Sequence, residues 1–460
     1  MTRSLPGFRA TLSVGAVALF SRLAITLWAW GRFPPVADGV YYQIHAQRLA
    51  DGLGYTWAWP DGSVTYAAHY PVGYPALISL VYRVLGPSPG GAMLLNAALG
   101  AVGAVAIHRA ALATTSPRAA LGAGLVVALH PGLVSYTPAL MTEGITAALI
   151  AVALWAAVAL RSATGVRWPA FVGLALVIGI ATLIRPQSIL FAPVFAWLGL
   201  SALSPARRAV IAGLVLAASL SVVLPWTARN CDKLGRCALV SVNGGWNLLI
   251  GTDAGAKGSW APIKVPSECE EEFDEARKDV CFEHAALRKI QQDPLGWLAL
   301  APKKLSATFD YCGAGAWYLH EGSPGNFGKG EKLLLGAFET FVQRALLALA
   351  LIAALRWRAR AWSWSTPRRL CLACAGLAIV PWAWVGVLLF SGFGLAQPPE
   401  TPKPARLSLA LAAATTGTTA LIHGIFFGAG RYGLVIVPAL VLAAAVARWP
   451  FDTAPQNPDD

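Results

Sequence analysis

Charge is what this sequence has least of. Only 13% of its 460 residues are Asp, Glu, Lys or Arg, against about 25% in ordinary soluble domains. That shortage excludes a soluble enzyme, and a hydrophobic content of 56% excludes a disordered chain. Acids are scarcest of all: between Gly62 and Cys231 the single carboxylate is Glu143. No Asp-x-Asp occurs, so a divalent metal holding a nucleotide-sugar diphosphate is not indicated. No clean internal repeat is present either.

Bases outnumber acids, 36 to 23, and a net charge of +13 would ordinarily suggest nucleic acid as a partner. Their distribution argues otherwise. Fourteen of the acids lie between Ala228 and Leu335 beside 13 bases, while the rest of the chain has 23 bases and 9 acids. Outside that stretch the bases cluster at Arg3/Arg9, Arg109/Arg118, Arg161/Arg167, Arg207/Arg208 and Arg356–Arg369, between long apolar runs. This is the positive-inside pattern of a multi-pass membrane protein, and no nucleic-acid partner is expected.

Apolar runs long enough to span a bilayer, or nearly so, fall at Ala10–Trp30, Ala92–Ala110, Ala119–Tyr136, Ala139–Leu160, Trp168–Ile184, Ser188–Leu203, Arg208–Trp226, Leu335–Leu355, Leu370–Leu395, Leu407–Phe427 and Gly433–Ala447. A cytoplasmic N-terminus puts all five basic clusters inside, and places 31–89 and 228–334 outside. The first run is too long for a cleavable signal and lacks a small-residue cleavage site, so it is expected to be retained. Near the C-terminus the polar Gln397–Pro404 linker leaves the span count, and the side of Arg431, open. The expected organisation is a transmembrane module over 1–226, an outer segment over 227–334 and C-terminal helices over 335–460.

Five of the seven cysteines, Cys231, Cys237, Cys269, Cys281 and Cys312, lie in the second outer loop. There the near pairs Cys231–Cys237 and Cys269–Cys281 are plausible disulfides. Cys371 and Cys374 sit in an apolar run, where small core residues are favoured over a redox or zinc site. The acid-rich run Glu268–Glu283 reads as a solvated helix face.

The first outer loop is aromatic and lightly charged. After Pro34-Pro35 a helix is expected from Asp38 to about Ala50, with Asp38, Tyr42, His45 and Leu49 on one face. Asp38 is well placed for a helix N-cap. Trp57, Trp59, Tyr66, Tyr70 and Tyr74 suit an interfacial aromatic belt, and Tyr74–Gly86 suits an amphipathic helix on the membrane surface.

Several motifs in this order resemble a known family. They are Ala37-Asp38-Gly39-Val40-Tyr41-Tyr42, Gly52-x-Gly54-Tyr55, Tyr70-Pro71-Val72-Gly73-Tyr74-Pro75, Thr142-Glu143, Arg185-Pro186, Pro225-Trp226-x-x-Arg229-Asn230, Asn243-Gly244-Gly245-Trp246-Asn247 and Arg431-Tyr432. The chain is similar to GT-C glycosyltransferases of the family 39 type, which includes protein O-mannosyltransferases and lipid A aminoarabinose transferases. The resemblance implies an all-α polytopic membrane protein: a GT-C-like bundle of about ten or eleven transmembrane helices, a long first outer loop and a small α or α/β outer segment. It also implies transfer of a sugar from a polyprenyl-phosphate donor, with Asp38 carrying over as the base. Two departures stand out: Gly39 replaces the second acid of many relatives, and Tyr70 beside His69 replaces a basic residue.

Inverting transfer needs a base for the acceptor proton, cations for the departing phosphate, and shelter from water. Asp38 is the candidate base. Arg185 and Arg431, with Lys303 or Lys304, are candidate phosphate ligands. Tyr42, His45, His69, Tyr70, Arg229 and Tyr432 are the other candidate substrate contacts. Glu143 is an ionisable residue opening a span, which points either to a site-lining role or to a structural pair with Arg185. Lys303 and Lys304 equally suit snorkelling to headgroups, and Arg431-Tyr432 an interfacial anchor. Asn243–Asn247, after a strand-like Ala238–Val242, reads as a structural turn; it is neither a Walker loop nor a dinucleotide fingerprint. No cofactor is required. The expected partners are the bilayer, a polyprenyl-phosphate-linked sugar and an acceptor that is lipid, polysaccharide or protein, at an inner membrane with the site facing outward. A transporter or flippase of a lipid-linked substrate is the competing function.

Overall fold

The computed structural model describes residues 7–160, 165–253, 255, 257–361, 376 and 381–447. Arg3, Arg161, Cys371, Cys374 and part of the expected Leu370–Leu395 span lie outside the described residues.

Helix α1 (Phe8–Ala29) leads into a loop that carries α2 (Asp38–Ala50), the strands β1 (Thr56–Ala58) and β2 (Val64–Tyr66), and α3 (Gly73–Leu85). Next come α4 (Pro89–Leu112), α5 (Pro117–Leu129), α6 (Pro131–Ser135), α7 (Thr142–Ala159), α8 (Trp168–Ile184), α9 (Phe191–Gly199) and α10 (Pro205–Leu234). The second loop folds into α11 (Gly244–Ile250), α12 (Glu275–Gln292), α13 (Pro294–Ala299), α14 (Ala301–Phe309) and α15 (Ala314–Gly322). The chain closes with α16 (Lys329–Ala361), α17 (Ala383–Leu395), α18 (Lys403–Ile425) and α19 (Val437–Ala445). Six helices, at Phe8–Ala29, Pro89–Leu112, Thr142–Ala159, Pro205–Leu234, Lys329–Trp357 and Lys403–Ile425, are long and apolar enough to cross a membrane. Their outward faces keep large apolar residues exposed, among them Phe20, Leu27, Val210 and Leu224. The protein is a multi-pass membrane protein.

Three expectations change. Ala238–Val242 is irregular, and the described residues of the second loop form no strand beyond the isolated bridge of Ser259 with Gly428. The only ladder among the described residues is the ribbon of β1 and β2 in the first loop, in antiparallel register Thr56↔Tyr66. Asn243–Asn247 is not a turn but the start of α11. Gly245 is required there by contact: a Cβ would stand 2.0 Å from the Asp279 carbonyl oxygen.

Proline sets the helix boundaries. Pro89, Pro117, Pro131, Pro205 and Pro438 each fall in a first turn, where their missing N–H is no loss. Pro131 also breaks the expected Ala119–Tyr136 span into α5 and α6, and the carbonyls freed at the end of α5 need donors. Arg22 supplies them from α1. Its guanidinium donates to Ala128 O at 2.8 Å and Val127 O at 3.1 Å, fully inside the bundle. Pro186 likewise divides α8 from a 3₁₀ turn, Pro186–Leu190, that precedes α9. It forces Arg185 into an extended conformation, φ −141° and ψ 105°. A third break falls after α18, where Gly428-Ala429-Gly430 leads into the 3₁₀ turn Gly430–Ile436.

The side of Arg431 is now fixed relative to the rest. The start of α17 lies at Asp310, whose carboxylate accepts from Trp384 N. Its far end lies at Ala354, whose carbonyl accepts from Gln397. The Gln397–Pro404 linker is therefore at the end opposite the first loop, and α18 climbs back to bring Arg431 level with Asp38. Cys231–Cys237 and Cys269–Cys281 are disulfide-bonded, and Cys312 is free and buried.

Small residues let the spans approach closely. At the α4–α7 interface a Cβ on Gly103 would lie 2.9 Å from Ala148 Cα. Gly103→Val should overpack this contact by about 1–3 kcal/mol and lower the melting temperature of the detergent-solubilised protein. An unchanged melting temperature would mean that this contact does not hold the bundle together.

Candidate functional site

The breaks at Pro186 and after α18, with the starts of α2 and α7, deliver a charged side chain to one point. Residue Ala37 precedes α2 with φ 51° and ψ −131°, a conformation costly for a residue with a Cβ. Asp38 then opens the helix as its first residue, one position past the N-cap rather than at it. Instead Oδ2 accepts from Arg431 Nη2 at 3.2 Å. The Asp38 side chain keeps about a third of its surface open, at 34%.

Glu143, second residue of α7, is 3% exposed and sits between two guanidiniums. Its Oε1 accepts from Arg185 Nη1 at 3.0 Å. The same oxygen lies 3.1 Å from Arg431 Nε, an ion pair whose angle is too poor for a hydrogen bond. Its Oε2 accepts from Tyr136 Oη at 2.9 Å. Tyr432 lies beneath both arginines, with Arg185 Cζ 4.8 Å and Arg431 Cζ 5.2 Å from its ring centroid. Its other face stacks on His423 at 4.2 Å. Two carboxylates and two guanidiniums thus form one neutral cluster, with Asp38 its most open member.

Burial pushes the Asp38 carboxyl above its usual range. Arg431 and Arg185 pull it back down, and the Glu143 charge adds to the rise. The result is a carboxylate more basic than a solvated aspartate.

Sequence-expected residues divide by position. Asp38, Glu143, Arg185, Arg431 and Tyr432 come together. Tyr42 is buried behind Asp38, edge-on to Tyr70 and Tyr74 at 5.5 Å each. His45 is fully buried between Tyr55 and Trp57, each 4.3 Å away, and neither ring nitrogen has a partner. Burial lowers its pKa to about 4. His69 packs edge-on to Tyr70 and Trp246. Arg229 lies apart from the cluster, its guanidinium donating to Ala67 O and Tyr55 O at 2.8 Å each. Lys304 is also apart: its Nζ donates to Ile425 O at 2.8 Å, while Lys303 is exposed. The expected aromatic belt is only partly on the surface. Trp59 and Tyr66 are exposed, but Tyr74 is fully buried and donates to Asn96.

Glu275 is the residue that sequence reasoning missed, because the whole Glu268–Glu283 run was read as solvated. Glu268, Glu270 and Glu271 are exposed, but Glu275 and Asp279 turn inward. Oε2 of Glu275 accepts from Ala68 N at 2.8 Å and His69 N at 3.1 Å, and Trp57 Nε1 donates to Oε1. One carboxylate of the second loop thereby grips the first. Asp279, one turn on, accepts from Trp246 N at 3.1 Å. The signal was present in helical spacing, since Asp279 shares a buried face with Ala276, Phe282 and Ala286.

Residues 69–240 match the family described as dolichyl-phosphate-mannose-protein mannosyltransferase. The matched segment contains Glu143, Arg185 and Arg229 but neither Asp38 nor Arg431. No curated protein matches the chain. Among solved structures, the chain is similar to the oligosaccharyltransferase of Archaeoglobus fulgidus tethered to an acceptor peptide. Identity is 14% and the TM-score 0.47, covering 95% of this chain and 49% of that one. It is also similar to ArnT from Cupriavidus metallidurans in the apo state, at 15% identity and a TM-score of 0.41, covering 95% and 76%. The chain thus spans about half the length of the oligosaccharyltransferase.

Replacing Glu275 with Ala removes the acceptor for two amides. A lost buried acceptor is worth about 1–3 kcal/mol, so exchange of the Ala68 and His69 amides should accelerate by at least about fivefold. Hydrogen exchange followed by mass spectrometry reads this directly. Unchanged protection would mean that the two loops are held together elsewhere.

Proposed function

We propose that the protein is an integral-membrane glycosyltransferase. It takes a sugar from a polyprenyl-phosphate donor and passes it, with inversion, to an acceptor on the outer face of an inner membrane. The observation that carries this is the Asp38–Arg431–Glu143–Arg185 cluster at one end of the bundle. The family match over 69–240, to proteins described by a lipid-phosphate-mannose donor, supports the donor class.

The chemistry follows from what the cluster offers. Asp38 takes the proton from the acceptor hydroxyl as its oxygen bonds to the anomeric carbon. The bond from that carbon to the phosphate oxygen breaks, and its electron pair leaves with the lipid phosphate. Charge grows on that oxygen, and Arg185 and Arg431 are placed to meet it. Arg431 has two roles in sequence. Without donor its Nη2 neutralises Asp38; an arriving phosphate competes for that group and frees the base. Glu143 keeps both guanidiniums in position during the exchange.

The outward orientation is supported by the two disulfides of the second loop, which belong to an oxidising compartment. A transporter would place its polar site near the bilayer midplane, in broken helices of related halves. Here the charged cluster sits at the end that also carries both outer loops, which favours transfer over transport.

Asp38→Asn should abolish sugar transfer in a detergent assay with a lipid-phosphate sugar, while leaving expression and melting temperature intact. Retained transfer would overturn the assignment. The acid limb of kcat/KM should lie above that of an ordinary solvated aspartate, because burial raises the Asp38 carboxyl. Arg431→Gln removes a charge that lowers this pKa, so the limb should move further up as the rate falls. A limb that stays in place would separate Arg431 from Asp38.

A further inference from the structure

Beside Asp38 lies a group of aromatic rings that the transfer chemistry does not use. Tyr41 is one turn beyond Asp38 on α2. It stacks on Tyr70 with centroids 5.0 Å apart and an interplanar angle of 18°. Trp57 meets Tyr41 edge-on at 5.8 Å. Tyr41 is 41% exposed, and with one face covered by Tyr70 its other face looks outward. The Asp38 charge acts on the Tyr70 phenol, so the rings and the carboxylate are neighbours.

The rings are fixed before any ligand arrives. Tyr55 Oη donates to Tyr70 O at 2.8 Å, Tyr42 braces Tyr70 from behind, and Glu275 holds the Trp57 indole. A surface already ordered loses little entropy on binding. The charged groups that bond into this segment are occupied internally. Glu275 accepts from three N–H groups, Arg229 donates to two carbonyls, and Arg48 donates to Thr56 Oγ1. His45 and His69 are held neutral by burial, each pushed down to about 4.

We infer that Tyr41, Tyr70 and Trp57 form the acceptor subsite, and that the acceptor presents a neutral sugar ring there. The inference rests on the transferase function proposed above and names its acceptor class. The C–H face of a pyranose is weakly positive and the face of an aromatic ring negative, so the two stack. A sugar on Tyr41 reaches Asp38 with a hydroxyl at its edge. Glu275, Arg229 and Arg48, the charged groups bonded into this ring-bearing segment, offer a charged acceptor no free counter-charge at the stack. A peptide acceptor would pair with a strand edge, and the strands beside the rings, at three residues each, offer only a short one.

The test uses the full-length protein in nanodiscs and saturation-transfer NMR. The probes are mannotetraose, xylotetraose, maltotetraose and a blocked, uncharged peptide containing Ser and Thr. Ring protons of at least one oligosaccharide should show saturation with the wild type, with Tyr41→Phe and with Asp38→Asn. Tyr41→Ala and Tyr41→Leu should each weaken that signal by about two- to tenfold, the worth of one aromatic face. Leu keeps apolar bulk without the ring, and melting temperatures confirm that both variants fold. Equal signal in both variants, saturation of the peptide alone, or no oligosaccharide signal would overturn the inference. Donor cleavage measured in parallel separates the two levels. If oligosaccharides fail to bind while sugar release still depends on Asp38, only the acceptor class falls. If Asp38→Asn releases sugar at the wild-type rate, the transferase function falls.

Discussion

One carboxylate holds this site together. Glu143 is nearly free of solvent and lies within ion-pair distance of both Arg185 and Arg431. Two guanidiniums gathered in a low-dielectric bundle repel each other and lose their hydration, and only a counter-charge between them makes the arrangement tolerable. Arg185 comes from a proline break and Arg431 from a glycine-rich one. Their meeting point is the first turn of α7, where Glu143 also lies near a positive helix end. Irregular backbone is tolerated at membrane depth only where protein or a polar cavity satisfies it, and these breaks satisfy that condition together.

The second organising contact lies between the two outer loops. Glu275, Arg229 and the Val242 amide, which donates to Ala68 O at 2.9 Å, all bind backbone of the segment 55–69. Each takes up a main-chain group that the short β1–β2 ribbon leaves unpaired. The first loop therefore owes its shape to the second, and the ring stack and Asp38 inherit their positions from that docking. The Cys269–Cys281 disulfide ties the start of α12, where Glu275 sits, to the preceding chain.

Much of this was legible in the sequence because the signals were local. Apolar length marked the spans, proline marked their starts, and α2 occupies the Asp38–Ala50 interval that Pro34-Pro35 and the aromatic spacing indicated. Arg185 before Pro186 and Glu143 as the lone acid of its region are conspicuous in any reading of the chain. What was not legible depends on partners distant in sequence. The role of Glu275 comes from amides more than 200 positions away; helical spacing marks the inward face of the acid-rich run but does not name the groups that face grips. Arg229 has the right charge and motif to meet a phosphate, yet its carbonyl partners are set by tertiary docking. The side of Arg431 was undecided because the Gln397–Pro404 linker carries no strong topological signal, and only packing decides it.

Arg22 has a consequence for the membrane as an insulator. It lies wholly inside the bundle, and it binds carbonyls rather than a carboxylate, so its positive charge is solvated but not cancelled. Any other cation or hydrated proton moving along the helices past that point meets an unneutralised charge in a poorly screened medium, and the electrostatic barrier rises accordingly. Ionised groups gathered at one face of a bilayer, even largely buried ones, are otherwise the beginning of a leak. A fixed cation buried behind it lets the protein keep ionised groups at that face without short-circuiting the membrane potential.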